Sequence, residues 1–448
     1  MPSVKTSFLR NLIVPFGDFV FGQRMMQRIK FLEEAQYWSL EKINERRERD
    51  LQCLIHTSYT EVPIYHKLMN RSGVQPGEIN TLDDLTKLPV ITKDMLRAGY
   101  PKQTTRSTGR KVFQTSTSGS TGKNLFIKED AFTAGWYRAS FILSLEWAGW
   151  QIGEPHLQSG MTIHRKLDRR LKDIFFGCHY VSAYHLDDKH LSMMLDIIDH
   201  HQIKYIMGYP GSLYFLAKYA ITQGWNQPLS SAVTWGDSLY PHYRETIMKA
   251  FQTKVFDTYG CAEGIQVSAQ CAHGNYHIHA LDTIVEFVDD DGIPVPPGAT
   301  GNIILTRLHP GPMPFIRYQV GDLGVPSTGE RCSCGRNFPT MDSIQGRNAD
   351  VVITPSGNRL IVHFFTGILE HFSEVDSFQV VQQDEETINI LIVPIENISD
   401  NSLEEIKYAI QTSGADDLKI CFDIVDQIPL PPSGKHRFII NKINLINE

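Results

Sequence analysis

The sequence carries no surplus of positive charge: Lys and Arg total 43 against 50 Asp and Glu, a formal net charge of -7 over 448 residues. That balance offers no basic field for the phosphates of DNA or RNA, so a nucleic-acid partner is not expected. Long hydrophobic runs are missing too. The apolar patch near the start, LIVPFGDFVF, is interrupted by Pro15, Gly17 and Asp18, well short of the roughly 20 apolar residues of a membrane span. With Lys5, Arg10, Arg24, Arg28 and Lys30 scattered around it, the patch reads as a helix lying on its own domain. Neither a transmembrane segment nor a signal peptide is expected. Cysteine is sparse, seven in all, which implies a reducing cytoplasm and no disulfide framework. Internal repeats and low-complexity segments are lacking.

What is present suggests more than one domain, since the chain exceeds the usual size of a single core. Charged, amphipathic sequence from Phe31 to about Tyr65 predicts helix, as does the stretch from Ala131 to Trp147. Between Leu191 and Val255, helical runs such as LSMMLDIIDHH alternate with short apolar runs such as IKYIMGY, the pattern of an α/β layer with parallel strands. The segment VEFVDDDGIPVPPGATGNIILTRL then sets two apolar runs around Asp, Gly and Pro-rich turns, which predicts antiparallel strands. After Asp350 the order is strand and turn (VVITPSGNRL), strand pair (FQVVQQDEETINILIVP), helix (SLEEIKYAIQT) and strand (LKICFDIVD). That suffices for a small α+β domain.

The stretch QTSTSGSTGKN, Gln114 to Asn124, invites comparison with a phosphate-binding P-loop and fails it. Gly119 and Gly122 are too close together, and Lys123 is followed by Asn124, which has no hydroxyl for magnesium. Five further pieces follow it along the chain: WGDSL (235 to 239), YGCAEG (259 to 264), PFIRYQVGDL (314 to 323), GRNAD (346 to 350) and PPSGKHR (431 to 437). With TSGSTGK (117 to 123), in this order, they resemble the adenylate-forming enzymes. The likeness is to the phenylacetate-CoA ligase-like branch, which includes members associated with capsular polysaccharide. It runs over nearly the whole chain.

The resemblance implies a large α/β N-terminal domain over residues 1–349, with mixed and parallel sheets flanked by helices plus an antiparallel β layer. A small mobile α+β C-terminal domain over 350–448 follows. It also implies activation of a carboxylic acid by attack on the α-phosphate of ATP, giving an acyl-adenylate and pyrophosphate. Because both reactants are anionic, charge and hydrogen-bond donors must be preorganised around the phosphates. Ser118, Gly119, Ser120, Thr121, Gly122 and Lys123 match the loop that grips the leaving phosphates. Tyr259, beside Gly260, corresponds to the aromatic residue stacked on adenine, and Gly236 and Asp237 to the segment beside adenine and acyl group. Glu263 corresponds to the magnesium ligand and Asp322 to the acceptor of the ribose hydroxyls, assisted by Arg347. Lys435 matches the lysine that enters the site during adenylation, and Asp350 the hinge of the C-terminal domain.

Two departures stand out. Ala262 replaces the hydroxyl residue that many relatives place before the glutamate, so one hydrogen bond to the α-phosphate falls to Thr258 or a water. Asn124 replaces the proline that often follows the loop lysine. Cys261 reads as a small inert thiol.

A second cluster comes from Cys332 and Cys334 together with CAHGNYHIH, Cys271 to His279. Three thiolates and an imidazole would complete a closed tetrahedral zinc site. Comparable sets in the phenylacetate-ligase branch favour His277, with His273 and His279 as substitutes. The expected reaction is thus an AMP-forming acid–thiol ligation using ATP and Mg2+, with coenzyme A as the acceptor and an aromatic or compact acid suggested by Tyr137, Tyr209 and Trp235. Carrier-protein thiols and amines are alternative acceptors, a homodimer is one option for assembly, and a non-catalytic nucleotide-binding protein is the competing reading.

Overall fold

A computed structural model describes residues 8–428 and 438–442, apart from 118–124, 162–164, 166, 184–185, 238, 240, 330, 346–350 and 370. The polypeptide divides into two compact units. The first comprises Met1–Thr115, Phe126–Glu154 and Phe256–Gly346, and the second Ser116–Leu125, Pro155–Val255 and Arg347–Glu448.

In the first unit the charged amphipathic sequence forms three successive helices, Met25–Ala35, Leu40–Glu61 and Pro63–Arg71, instead of one run. Two local signals cut it. Ser39 caps the second helix by accepting the Lys42 N–H, and Pro63 occupies the first turn of the third, where its missing N–H costs nothing. The N-terminal patch forms the helix Val14–Phe21. Leu9 and Val14 are buried, while Leu12 and Phe16 face outward at 58% and 70% exposure. Asp18 accepts the N–H groups of Met25 and Met26 at 2.6 and 2.9 Å, capping the next helix.

The helix Ala131–Trp147 starts where the sequence predicts. Asp130 accepts the Thr133 N–H at 2.9 Å and Thr133 Oγ1 accepts the Asp130 N–H at 3.2 Å, a reciprocal cap. This helix packs on the strand Ile265–Gln270, all six residues of which are buried.

Strands of this unit lie in the order Thr283–Val288, Gly301–Arg307, Tyr318–Pro326, Thr340–Gln345, Tyr276–Ile278, Ile265–Gln270 and Lys254–Cys261. Each pair is antiparallel. The first pairing, Thr283 opposite Arg307 through Val288 opposite Asn302, is the one predicted from the two apolar runs.

The second unit contains parallel strands in the order Ser231–Thr234, Tyr205–Gly208, His156–Gly160 and Cys178–Ser182. Helices Asp188–His200, Pro210–Thr222 and Pro241–Phe251 bury Leu195, Ile198, Leu213, Leu216 and Phe251 against them. Residues from Val351 onward build a hairpin, Val351–Ile353 with Arg359–Ile361, and a sheet ordered Lys419–Ile424, Thr387–Pro394, Val375–Gln382 and Ile439–Asn441. The central pair is antiparallel and both outer pairs are parallel. Its core holds Phe364, Phe365, Ile388, Ile390 and Ile406. The helix Val362–Leu369 and the strand Ile439–Asn441 are additions to the sequence reading. No helix of the described residues is long and apolar enough to cross a membrane.

Candidate active site

The strand Lys254–Cys261 turns at Ala262 and Glu263 into Ile265–Gln270, and the Gly264 N–H closes the turn on the Cys261 carbonyl at 3.1 Å. Gly264 has φ +76, and a β-carbon there would lie 2.3 Å from Glu129 Oε1. Only glycine fits. Glu129 is itself held by Arg307 at 3.3 Å, so a buried ion pair backs the turn that presents Glu263.

Glu263 is 1% exposed. Tyr318 donates its hydroxyl to Glu263 Oε1, and Lys93 Nζ lies 3.5 Å from the same oxygen. Burial pushes this carboxyl upward, but the Lys93 charge and the Tyr318 hydroxyl outweigh it and hold it below the ordinary carboxylate value. The side chain is therefore an ionised, hard oxygen donor, which fits a magnesium ion.

Lys93 is brought in by the helix Lys93–Gly99, capped by Thr92. Just before it, the Ile91 N–H donates to the Arg317 carbonyl at 2.8 Å and the Gln319 N–H donates to the Ile91 carbonyl at 2.9 Å. This bridge sets Lys93 beside Tyr318. Sequence reasoning missed both residues: Tyr318 stood inside a recognised motif without a role, and nothing in ITKDML links Lys93 to a glutamate so distant in the chain.

Tyr259 donates its hydroxyl to Asp322 Oδ2 at 2.8 Å. Burial, followed by the Asp322 charge, pushes the phenol well above its ordinary value, so it remains a donor. Gly260 follows; a β-carbon there would come within 3.0 Å of Gln266 Oε1. Cys261 is pushed well up, first by burial and then by Glu263, which agrees with an inert thiol. Thus Tyr259, Glu263 and Asp322 are gathered on one antiparallel layer. Gly236 and Asp237 lie in the second unit, where Gly236 has φ +81 and a β-carbon would meet Tyr209 Cε1 at 2.6 Å. Ser118, Gly119, Ser120, Thr121, Gly122, Lys123, Arg347, Asp350 and Lys435 lie outside the described residues.

The second cluster is assembled as the sequence suggests. The ligand atoms of Cys271, His277, Cys332 and Cys334 all lie within 4.8 Å of one another. Cys271 Sγ is 3.6 Å from Cys332 Sγ, and Cys334 Sγ is 3.3 Å from His277 Nε2. A tetrahedral zinc with ordinary bond lengths needs edges of roughly 3.5–3.8 Å, close to these two distances, so the donor set is compatible with such an ion. His277 donates Nδ1–H to the Phe338 carbonyl at 3.0 Å, which leaves Nε2 as the ligand atom. The His273 N–H points at Cys271 Sγ and the Asn275 amide at Cys332 Sγ, at 3.4 and 3.2 Å, as suits thiolates. Of the three histidines, it is His277 whose ring nitrogen lies among the three sulfurs, while His279 Nε2 is hydrogen-bonded to Ser144 Oγ at 2.8 Å and His273 Nδ1 to Ser333 Oγ at 3.1 Å.

Comparison with known proteins agrees with this geometry. Residues 352–442 match the CapK C-terminal domain family. Protein CapK of Staphylococcus aureus is 24% identical over 447 residues, covering 97% of each chain. The phenylacetate-coenzyme A ligase of Thermus thermophilus is 25% identical, covering 78% of this chain and 80% of the relative. Among solved structures, 2-hydroxyisobutyryl-CoA ligase in complex with 2-HIB-AMP and CoA has the same fold, with TM-score 0.61 at 18% identity, over 92% of this chain and 94% of that one. The chain is thus similar over most of its length to CapK and to phenylacetate-coenzyme A ligases, and it shares the fold of 2-hydroxyisobutyryl-CoA ligase. These likenesses support a ligase, and the large α/β part with a smaller C-terminal sheet domain matches the expected architecture.

Proposed function

We propose that this protein is an ATP-dependent, AMP-forming carboxylate ligase that makes an acyl-adenylate, releases pyrophosphate and transfers the acyl group to the thiol of coenzyme A. The observation that carries the reading is a buried Glu263 kept ionised on the same layer as a Tyr259–Asp322 pair. Asp322 accepts the ribose hydroxyls, Tyr259 offers its ring to adenine, and Ser118 to Lys123 bind the leaving phosphates. Magnesium, held through Glu263, would supply charge neutralisation at the phosphates. Lys435 neutralises the carboxylate and α-phosphate, and the segment beyond Asp350 turns as a unit between half-reactions. The family match over 352–442 supports a domain boundary near residue 350.

Zinc bound by Cys271, His277, Cys332 and Cys334 is structural in this proposal, since four protein ligands leave no open position. The acid is aromatic or compact, in keeping with the phenylacetate-CoA ligase relatives. A second reading concerns the acceptor. Likeness to CapK spans 97% of the chain, whereas likeness to the phenylacetate ligases spans 72–78%, so the acceptor need not be theirs, and a carrier-protein thiol or an amine is the alternative to CoA.

The test is carboxylate-dependent exchange of labelled pyrophosphate into ATP over a panel of aryl, aliphatic and amino acids. Exchange with one acid class, lowered about 10²- to 10³-fold by Lys435→Ala with ATP affinity retained, is the expected outcome. ATP binding without exchange on any acid would leave a non-catalytic nucleotide-binding protein.

A further inference from the structure

A cavity of about 610 Å³ in the first unit is lined by Arg24, Arg28, Arg46, Arg106 and Arg110, with Asp50 the sole acidic residue among its walls. It shares none of its lining with Tyr259, Glu263 or Asp322. Three of the arginines are each tethered by one carboxylate: Arg46 Nε to Asp50 at 2.7 Å, Arg106 Nε to Glu61 at 2.8 Å, with Arg106 Nη1 also donating to the Pro310 carbonyl at 3.3 Å, and Arg110 Nη1 to Asp130 at 3.2 Å. A guanidinium has five N–H donors in a fixed fork, so one carboxylate contact orients each group and leaves donors for another anion.

Arg28 is different. It is 6% exposed and donates to the Gln23 and Phe132 carbonyls at 2.8 and 2.7 Å. Among the described residues no carboxylate lies within ion-pair distance of it. Burial lowers it to about 10, so it remains charged at neutral pH. Its plane lies over Phe132 and Trp136, at 4.5 and 4.9 Å from the ring centres. Arg110 sits 4.7 Å from the centre of Phe132 as well. These rings fix the guanidinium planes.

A buried cation whose hydrogen bonds go only to carbonyls, with Asp282 and Asp18 acting on it from beyond ion-pair distance, is an expensive arrangement, and so is the Trp136 indole N–H, buried without an acceptor. Both residues line the same cavity, and an anion bound there would offset the Arg28 charge. Planar, forked donors match phosphate oxygens better than point charges do.

We propose that this cavity is a second anion site, separate from the adenylating site, that takes a small molecule bearing two or more phosphate-class groups. Its volume suits a ligand of metabolite size, and five arginines exceed what one phosphate can engage.

The test is calorimetric titration of the full-length protein with inorganic tripolyphosphate while a non-hydrolysable ATP analogue saturates the nucleotide site. One equivalent should bind. The double variant Arg24→Ala/Arg110→Ala should bind about tenfold more weakly or worse, the scale of losing charge-assisted hydrogen bonds, and Lys123→Ala should bind as the wild type does. If circular dichroism shows the double variant unfolded, Arg110→Gln alone carries the comparison, because Arg110 is half exposed. Absence of saturable binding to the wild type, loss of binding when the analogue is present, or equal binding by the folded variant would overturn the proposal. The analogue's own binding, measured first, reports on the proposed ligase separately.

Discussion

Cys271, His277, Cys332 and Cys334 turn their donor atoms toward one another, whereas Glu263 and Asp322, on the same antiparallel layer, turn theirs toward groups of the protein itself. Lys93 and Tyr318 attend Glu263, and Tyr259 attends Asp322. The first cluster is a set of electron donors without an internal cation, so its natural complement is an ion that stays. In the second, Lys93 offsets the Glu263 charge and tyrosine hydroxyls donate to both carboxylates, partners that the proposed ligands would replace. The proposed structural site and the proposed adenylating site thus differ in what already satisfies their donor atoms.

The sharpest way to break this contrast is to remove a thiolate. Cys332→Ser should lose about one equivalent of zinc by metal analysis and at least about 4 kcal/mol of stability by denaturant unfolding, and chelation of the wild type should do the same. Equal stability of metal-free protein would put the two clusters on one footing.

Next in size is Lys93→Met. A buried carboxylate stripped of its cation should cost about 3 kcal/mol, the more modest end because Lys93 keeps some solvent contact at 15% exposure. The sign in pH follows from the wild type: Glu263 is held low, so its contribution is complete above the ordinary carboxylate range and lost as pH falls through the folded value. Without Lys93 burial dominates, and the acidic limb of pyrophosphate exchange should move to higher pH. An unmoved limb would remove Lys93 from the site.

Asp322→Asn should raise the KM for ATP about tenfold or more through weakened ribose acceptance, while Tyr259→Phe, which frees Asp322 from its internal donor, should change that KM by less than about threefold. Smallest of all, Cys261→Ala should leave exchange within about twofold. A large loss there would make the thiol a participant.

Much of this was legible in the chain because the relevant signals are local. Asp130 and Thr133 mark the start of Ala131–Trp147, the turn-rich segment between Val288 and Gly301 separates an antiparallel pair, and the Cys-x-Cys spacing of 332 and 334 pairs with CAHGNYHIH. Long-range partners were not legible. Nothing near Glu263 names Lys93, because their meeting depends on a bridge between Ile91 and the strand bearing Tyr318. Ile439–Asn441 was missed for a similar reason: three residues carry no period, and only pairing with Val380–Gln382 makes them a strand.

That bridge at Ile91 bears on how the gene could be recombined. A chimera that imports the corresponding antiparallel strands of a relative while keeping this chain's first hundred residues would join two halves never selected together, with a foreign strand against Ile91 and a foreign glutamate beside Lys93. Segment exchange should succeed only when residues 88–93 travel with the strand they hold, so the smallest transferable unit of this site is discontinuous in sequence.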